Sequence, residues 1–316
     1  MHRTLLVLIA LPSILLSQSP SGEELFTQRK YPEARAAFEA RLKANPADAS
    51  AMYYLGRIAD NENRNGDAIE WFERAVKREP QSALYHFWLG SAVGEEAQSA
   101  SKLRQPFLAR KVKSQFEKAV QLDPKMVEPR MGLVDFYSIA PGVMGGSMDK
   151  AREQAAALAT LNPMRGHLAY ARIAMREKDD SAVVRAHEAA IAAAPDSTAG
   201  YYGLGGFYRT RSRFPEALRV YDRLLARRGD EVVAHALYGI VAAIGGIEME
   251  RGERELKHFL ANAPRETTTP QSFSNVHYRL GMIYDKTGRA ALAQAEYAEA
   301  VRWNPKNEDA KRAQQR

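Results

Sequence analysis

A nine-residue phrase that ends in proline recurs along the chain and constrains its fold more than any other feature. Its first occurrence, residues 38–46, reads FEARLKANP, and the pattern returns at residues 72–80, 116–124 and 297–305. Proline lacks an amide hydrogen and disfavours helix at the preceding residue, so each phrase predicts the end of a helix. Together with residues at equivalent places, these phrases divide the chain into about eight units, which end near residues 46, 80, 124, 163, 195, 229, 264 and 305.

Most units also carry a small residue in their first half and an aromatic residue in their second. In the second unit the small residue is Gly56, and Phe72 follows sixteen residues later. The equivalent small residues are Gly90, Ala171, Gly205, Gly239 and Gly281. Two antiparallel helices approach closely only where small side chains face each other, and aromatic rings fill the gaps beside the crossing. Each unit is therefore predicted to be a helical hairpin.

The period and the pattern together resemble those of tetratricopeptide repeats (TPRs). Pro46 and Pro80 lie 34 residues apart, which is the TPR period. The resemblance implies an all-α fold, namely a right-handed α-solenoid of about eight TPR-like hairpins over residues 20–305. A capping helix over residues 306–316 is expected to close it. The resemblance also implies that the first helices of the units line a concave groove.

The first 19 residues have the composition of a signal peptide. A basic start at His2 and Arg3 precedes the apolar run Leu5–Leu16, and a polar segment follows. The run is shorter than the roughly 20 apolar residues that a membrane-spanning helix needs. We therefore predict export to the bacterial periplasm or beyond the cell, with removal of residues 1–19 and no stable membrane insertion afterwards. An uncleaved N-terminal anchor is the alternative.

Net charge and cysteine content narrow the functional classes. A formal net charge of +7 would favour a nucleic-acid ligand in a cytosolic protein. The predicted export argues against nucleic acid, and the acidic counterparts of an exported protein are lipid head groups, cell-wall polymers or the acidic face of a partner. Arginine that serves only as a helix-compatible solubilising residue is the alternative. The chain contains no cysteine, which excludes disulfides, thiolate metal sites and the lipid attachment of bacterial lipoproteins.

No catalytic, cofactor or metal site can be assembled from the sequence. His187 and Glu188 begin like a zinc metalloprotease helix, but Ile191 stands where the second histidine is required. In the repeat frame His187 holds the aromatic position, and we expect it to pack there. Four further histidines share the fourth position of their units and are expected to lie a hairpin apart: His86, His167, His235 and His277. We therefore predict that the protein is not an enzyme.

Two insertions interrupt the repeat. Residues 94–107 lengthen the third unit, and residues 140–148 separate the two helices of the fourth. The segment APGVMGGS within the second insertion resembles a loop found in a group of exported bacterial TPR proteins. The chain is more distantly similar to the TPR-like periplasmic T component of TRAP transporters. Because Ser147 and Met148 follow the last glycine of the loop, it lacks the Lys-Ser/Thr pair of a phosphate-binding P-loop and is predicted to be a connector.

The predicted groove is formed by positions 2, 5, 9, 12 and 13 of the first helices. These positions hold Tyr53, Arg57, Phe87, Met131, Asp135, Arg172, Met175, Arg176, Tyr202, Arg209 and Tyr278. Protein interfaces favour aromatic and arginine side chains. Arg172, Arg176 and Arg209 stand on neighbouring units, and guanidinium groups make bidentate hydrogen bonds to carboxylates. Solvation, or pairing within the scaffold with a residue such as Asp135, is the competing interpretation.

The sequence thus predicts an exported TPR scaffold or adaptor that binds a protein, peptide or helix in its groove, with an acidic peptide among the expected ligands. The alternative is a periplasmic small-molecule-binding or transport-accessory protein. In that case the insertions at residues 94–107 and 140–148 would form the lid of a pocket. A deep apolar cavity under the second insertion would favour this alternative.

Overall fold

The computed structural model describes residues 20–315, and every regular element among them is helical. The predicted signal peptide, residues 1–19, lies outside the described residues, as does Arg316. None of the helices between residues 20 and 315 has the length and apolar character needed to cross a membrane. The chain divides into two compact lobes: an N-terminal lobe that ends at Pro129 and a C-terminal lobe that begins at Arg130.

The N-terminal lobe is a stack of three helical hairpins. Each hairpin packs on the next, through contacts of α2 with α3 and of α4 with α5. The helices are α1 (Gly22–Thr27), α2 (Tyr31–Ala44), α3 (Ala49–Asn61), α4 (Asn65–Arg78), α5 (Ala83–Ser99) and α6 (Gln105–Leu122). Helix α7 (Val127–Ile139) crosses the boundary between the lobes.

The C-terminal lobe continues the same arrangement. A 3₁₀ turn (Gly142–Met144) precedes α8 (Met148–Leu161), which packs on the next hairpin. Four packed hairpins follow: α9 (Pro163–Glu177) with α10 (Asp180–Ala193), α11 (Thr198–Thr210) with α12 (Phe214–Arg227), α13 (Val232–Gly245) with α14 (Met249–Asn262), and α15 (Pro270–Lys286) with α16 (Ala290–Trp303). A last short helix, α17 (Glu308–Gln314), packs on α16. The predicted all-α stack of helical hairpins is thereby confirmed.

The helix boundaries follow from the local sequence. Helix α2 ends at Ala44 and Asn45 is extended, as Pro46 requires of the residue before it. Helix α3 begins after Asp48, whose carboxylate accepts a hydrogen bond from the Ala51 N–H at 2.8 Å. Such an N-cap stabilises a helix by about 1 kcal/mol. Proline thus ends one helix, and a capping carboxylate begins the next.

A glycine beneath an aromatic ring holds several hairpins together. A Cβ atom added to Gly56 would lie 2.6 Å from Cε1 of Phe72, so no larger residue fits there without a shift. The same contact joins Gly90 to Phe116, Gly205 to Tyr221, and Gly281 to Tyr297. The ring therefore covers the small residue directly. The sequence pattern predicts a ring beside the helix crossing, and the structure places it over the glycine instead.

The insertion at residues 94–107 lengthens both helices of its hairpin. Helix α5 has 17 residues and α6 has 18, whereas α3 has 13 and α4 has 14. At the end of this longer hairpin, Leu103 and Phe107 are exposed to solvent. The extra residues of the third unit therefore form additional helical turns and the connection between them.

The glycine loop after α7 is closed by its own backbone. The Gly146 N–H donates to the Pro141 carbonyl at 3.1 Å, and the Ser147 N–H donates to the Tyr137 carbonyl at 2.9 Å. The Ser147 hydroxyl accepts from the Lys150 N–H at 3.3 Å and so caps α8. A phosphate-binding loop keeps its amide groups free to face the anion. Because these amides donate within the loop, the geometry is that of a connector.

Candidate functional site

A cavity of about 470 Å³ opens between α9, α10 and α11 in the C-terminal lobe. Its walls combine three arginines, several apolar side chains and one histidine. Helix α9 contributes Arg165, Leu168, Arg172 and Met175, α10 contributes His187, and α11 contributes Ala199, Gly203, Gly206, Phe207, Arg209 and Thr210. Three residues of the predicted groove, Arg172, Met175 and Arg209, therefore line one cavity.

The predicted arginines of this face differ in their surroundings. Arg172 forms an ion pair with Asp135 of α7. Burial raises the pKa of Asp135, although the charges of Arg172 and Arg176 act in the opposite direction. Arg209 is exposed and forms no ion pair with any residue between 20 and 315. A cation without a scaffold partner thus stands at the edge of the cavity.

Apolar side chains lie beside these cations. Leu168 is half-buried and Phe207 is buried. Met175 is 49% exposed, which leaves its thioether available for contact. The cavity therefore offers apolar contact and positive charge together.

His187 adds a buried imidazole to the wall of the cavity. The residue is 7% exposed, and its Nδ1 atom is buried without a hydrogen-bond partner in the described part of the chain. Burial lowers the pKa of His187 to about 4. The imidazole is therefore neutral at pH 7, with one nitrogen able to donate a hydrogen bond and the other able to accept one.

The predicted groove residues of the N-terminal lobe are engaged in packing. Tyr53 is buried and stacks on Tyr85 with ring centroids 5.4 Å apart. The Arg57 guanidinium lies 3.6 Å from the centre of the Trp88 ring and donates to the Tyr53 hydroxyl at 2.8 Å. Phe87 is half-buried against Phe116. These side chains stabilise one another, and Arg57 is enclosed by rings rather than presented to solvent as an isolated charge.

The remaining predicted residues of the C-terminal lobe lie outside the cavity wall. Met131 is buried in α7, and Arg176 is exposed on α9. The Tyr202 hydroxyl donates to Glu231 at 2.9 Å. Tyr278 is half-buried and packs against the ring of Tyr297.

Sequence reasoning missed several residues of the cavity. Arg165 and Leu168 stand at the second and fifth positions of their unit, so the same repeat frame that selected Arg172 could have found them. Gly203 and Gly206 gave no such signal, because glycines that create space between helices resemble glycines that allow helices to touch. His187 was assigned to packing alone.

Two further cavities lie in the C-terminal lobe. One, of about 490 Å³, is apolar and lies between α13 and α15, where Val233, Ala236 and Ile240 form part of its wall. The other, of about 460 Å³, is lined by residues of α12 to α14 that include the ion pair of Asp222 with Arg251. Residues 94–107 and 140–148 line none of these three cavities. Among residues 20–315, no group of three or more His, Asp or Glu side chains is placed to hold a metal ion.

Two family models of tetratricopeptide repeats match the sequence. One matches residues 21–83 and 180–232, and the other matches residues 274–307. The chain contains tetratricopeptide repeats. TPR proteins are generally non-catalytic scaffolds that bind proteins or peptides. The matched segments include α10 and α11 of the cavity, so this part of the site is built on TPR helices.

Solved structures share the fold at low sequence identity. A monomeric mutant of IFIT1, solved with Gppp-AAAA, is 12% identical over 92% of this chain and 69% of that chain, with a TM-score of 0.53. A TPR protein from Parabacteroides merdae is 12% identical over 84% of this chain and 97% of its own, with a TM-score of 0.49. YrrB, a TPR protein with an unusual peptide-binding site, is 15% identical over 64% of this chain and 98% of its own, with a TM-score of 0.44. No curated protein sequence matches the chain. The likeness therefore extends to the fold and to no particular ligand.

Proposed function

We propose that this protein is an exported TPR scaffold or adaptor, not an enzyme, that binds an acidic partner protein or peptide on the face formed by α9 and α11. The observation that carries the proposal is the shared cavity of Arg172, Met175 and Arg209. Guanidinium groups bind carboxylates in bidentate geometry, and an apolar surface beside them contributes hydrophobic contact. The side chains of this cavity therefore suit an acidic segment with apolar neighbours.

The ion pair of Arg172 with Asp135 does not prevent such binding. Both side chains are partly exposed, at 48% and 40%. Exposed ion pairs of this kind contribute about 0–1 kcal/mol to stability. A partner carboxylate that meets Arg172 and Arg209 together therefore displaces Asp135 at little cost.

The proposed surface extends along the first helices of the same lobe. Tyr202 on α11 and Tyr278 on α15 stand at the equivalent position of their units and supply aromatic contacts for a longer ligand. In the N-terminal lobe, Tyr53, Arg57 and Phe87 stay predictions. The role proposed here requires no cofactor, metal ion or nucleic acid.

The N-terminal segment supports an extracytoplasmic location. Residues 1–19 combine a basic start with a short apolar run and a polar end. A protein directed to the periplasm or beyond the cell by such a segment meets its partner there. The proposed scaffold therefore acts in the cell envelope or outside the cell.

An affinity capture with charge-reversal variants tests this function. The full mature chain is immobilised, and envelope proteins of the native host are captured and quantified by mass spectrometry. Arg172→Glu with Arg209→Glu is expected to reduce capture of the true partner at least about tenfold, because two charge-assisted contacts become repulsive.

The matched control is Arg227→Glu. Arg227 is a similarly exposed arginine on α12, paired with Asp196 away from the cavity. Circular dichroism verifies that all variants remain helical. A partner captured equally well by the double variant and the control would contradict the proposed binding face.

A further inference from the structure

His187 differs from the other buried histidines of this fold. His86 Nδ1 lies 2.6 Å from Gln115 Oε1, and its Nε2 lies 3.1 Å from the Pro80 carbonyl. His235 is held in the same manner, by the Glu255 carboxylate and by the Gly229 carbonyl. Both rings thus have partners on two sides. His187 has no hydrogen bond to any residue between 20 and 315, and its Nδ1 atom is fully enclosed.

The position of His187 explains why its ring reaches the cavity. In other units this position holds an aromatic ring that covers the glycine of the same hairpin. The His187 ring instead faces Gly203 on α11, the first helix of the following hairpin, where an added Cβ atom would lie 2.2 Å from its Cε1. Gly203 therefore makes room for the imidazole beside the cavity.

A packing role alone does not account for an imidazole at this place. A buried polar group without a partner destabilises the folded state, whereas an apolar ring of similar size does not. Phe72 and Phe116 occupy the equivalent position in other units. Because Nδ1 is enclosed, the ring can gain a hydrogen bond only at Nε2, which is not enclosed and also has no partner among residues 20–315. An accessible, unpartnered Nε2 in the wall of the cavity points to a ligand that binds it.

The charges around His187 define the chemistry of that ligand. Arg165 and Arg172 line the same cavity from α9, and Arg209 lines it from α11. Glu188, the neighbour of His187 on α10, is engaged by Arg223 of α12 through two hydrogen bonds of 2.7 and 2.9 Å. The cations that share the cavity with the imidazole favour an anion, and an ionised carboxylate accepts hydrogen bonds from both imidazole and guanidinium groups.

We propose that His187 is a ligand-binding residue whose imidazole Nε2–H donates to a carboxylate of the partner, which enters the cavity between α9 and α11 together with an apolar group. The carboxylate meets Arg209 and His187, and the apolar part of the ligand packs on Leu168 and Met175. This inference rests on the proposed function, because it specifies the group of the partner that the cavity holds. The carboxylate belongs either to a chain terminus or to an acidic side chain, and the probes below distinguish the two sources.

Three small probes test the site in the full mature chain. N-acetyl-leucine carries a terminal carboxylate, the α-amide of N-acetylglutamic acid carries a side-chain carboxylate, and N-acetyl-leucine amide carries none. Binding is followed by the NMR resonance of the His187 Cε1–H group. This resonance is assigned because it is missing from the spectrum of the His187→Gln variant. At least one carboxylate probe is expected to shift this resonance saturably, and the probe that does so identifies the source. N-acetyl-leucine amide that shifts it equally, or carboxylate probes that leave it unmoved, would overturn the proposal.

Two substitutions separate hydrogen bonding from packing. His187→Leu introduces an apolar side chain of similar volume that cannot donate a hydrogen bond. It is therefore expected to weaken binding of the effective carboxylate probe about tenfold. His187→Gln retains a donor and is expected to bind within about threefold of the natural protein. Unchanged affinity in His187→Leu would overturn the inference.

The outcomes also distinguish this inference from the proposed function. If partner capture depends on Arg209 while His187→Leu binds the probes normally, the scaffold function stands and the role of His187 is wrong. If binding of the carboxylate probe requires His187 but partner capture is unchanged by Arg209→Glu, the cavity binds a carboxylate and the proposed binding face for the partner is wrong.

Discussion

Replacement of His187 by leucine should change how the stability of the protein depends on pH. The imidazole is enclosed in the folded chain, and burial lowers its pKa from 6.5 to about 4. In the unfolded chain the ring returns to its ordinary value. As the pH falls below about 6.5, the unfolded chain therefore binds a proton that the folded chain does not.

The sign and the size of the effect follow from these two values. The folded-state pKa is depressed, so the folded chain disfavours the protonated ring. The pH-dependent part of the free energy of unfolding that comes from His187 is therefore fully present above about pH 6.5 and is lost as the pH falls towards 4. Between pH 7.5 and 4.5 the loss amounts to roughly 2–3 kcal/mol, from the change in pKa between 6.5 and about 4. His187→Leu lacks this loss. At pH 7.5 the variant should also be up to about 1 kcal/mol more stable, because it removes a buried polar group without a partner.

Urea unfolding followed by circular dichroism measures the difference. The free energies of unfolding of the natural protein and of His187→Leu are compared at pH 7.5 and at pH 4.5. The gap between them should widen by roughly 2–3 kcal/mol in favour of the variant at the lower pH. His187→Gln, which also does not titrate, should follow His187→Leu. A gap that stays constant across this range would refute the account of His187 as a buried neutral imidazole.

Four further substitutions test other parts of the structure. Gly203→Ala should destabilise the protein by about 1 kcal/mol in urea unfolding, because overpacking against the His187 ring outweighs the gain in helix propensity. Gly206→Ala should instead stabilise it by about 0.5–1 kcal/mol, because its added Cβ meets nothing within 4 Å. The reverse order would be inconsistent with the close approach of α11 to the imidazole. Asp135→Asn should release Arg172 and raise the affinity for the effective carboxylate probe about threefold in an NMR titration; weaker binding would contradict competition by that carboxylate. Ser147→Ala should remove the N-cap of α8 and cost about 1 kcal/mol, with partner capture unchanged, while lost capture would assign the glycine loop a binding role.

Much of the fold could be predicted from the sequence because each repeat shows the same two local effects: helix termination by proline and close helix packing at a small residue. Pro46 ends α2 and Gly56 lies under Phe72, and equivalent residues repeat both effects along the chain. The same frame selected Arg172 and Arg209, since position within a first helix decides which side chains share a face. Because the pattern repeats, the hairpins can be predicted from the sequence alone.

The remainder of the site depends on contacts between hairpins, which the sequence does not specify. Arg172 is 37 residues from Asp135, and whether the two meet depends on how α9 packs near α7. His187 shares its sequence position with rings that cover a glycine of their own hairpin, yet its imidazole faces Gly203 of the next one. Small rotations of one helix against another decide such contacts. The cavity therefore became apparent only in three dimensions.

Site-specific photocrosslinking in the native host tests the central claim most directly. A photoreactive amino acid replaces Met175 in the cavity wall, and a matched control replaces Leu292 on α16, since both side chains are 49% exposed. The account predicts a crosslinked envelope or extracellular protein at Met175 that is absent at Leu292 and is lost when Arg209→Glu is added. Identical products at the two positions, or a Met175 product that persists with Arg209→Glu, would contradict the claim that α9 and α11 form the binding face.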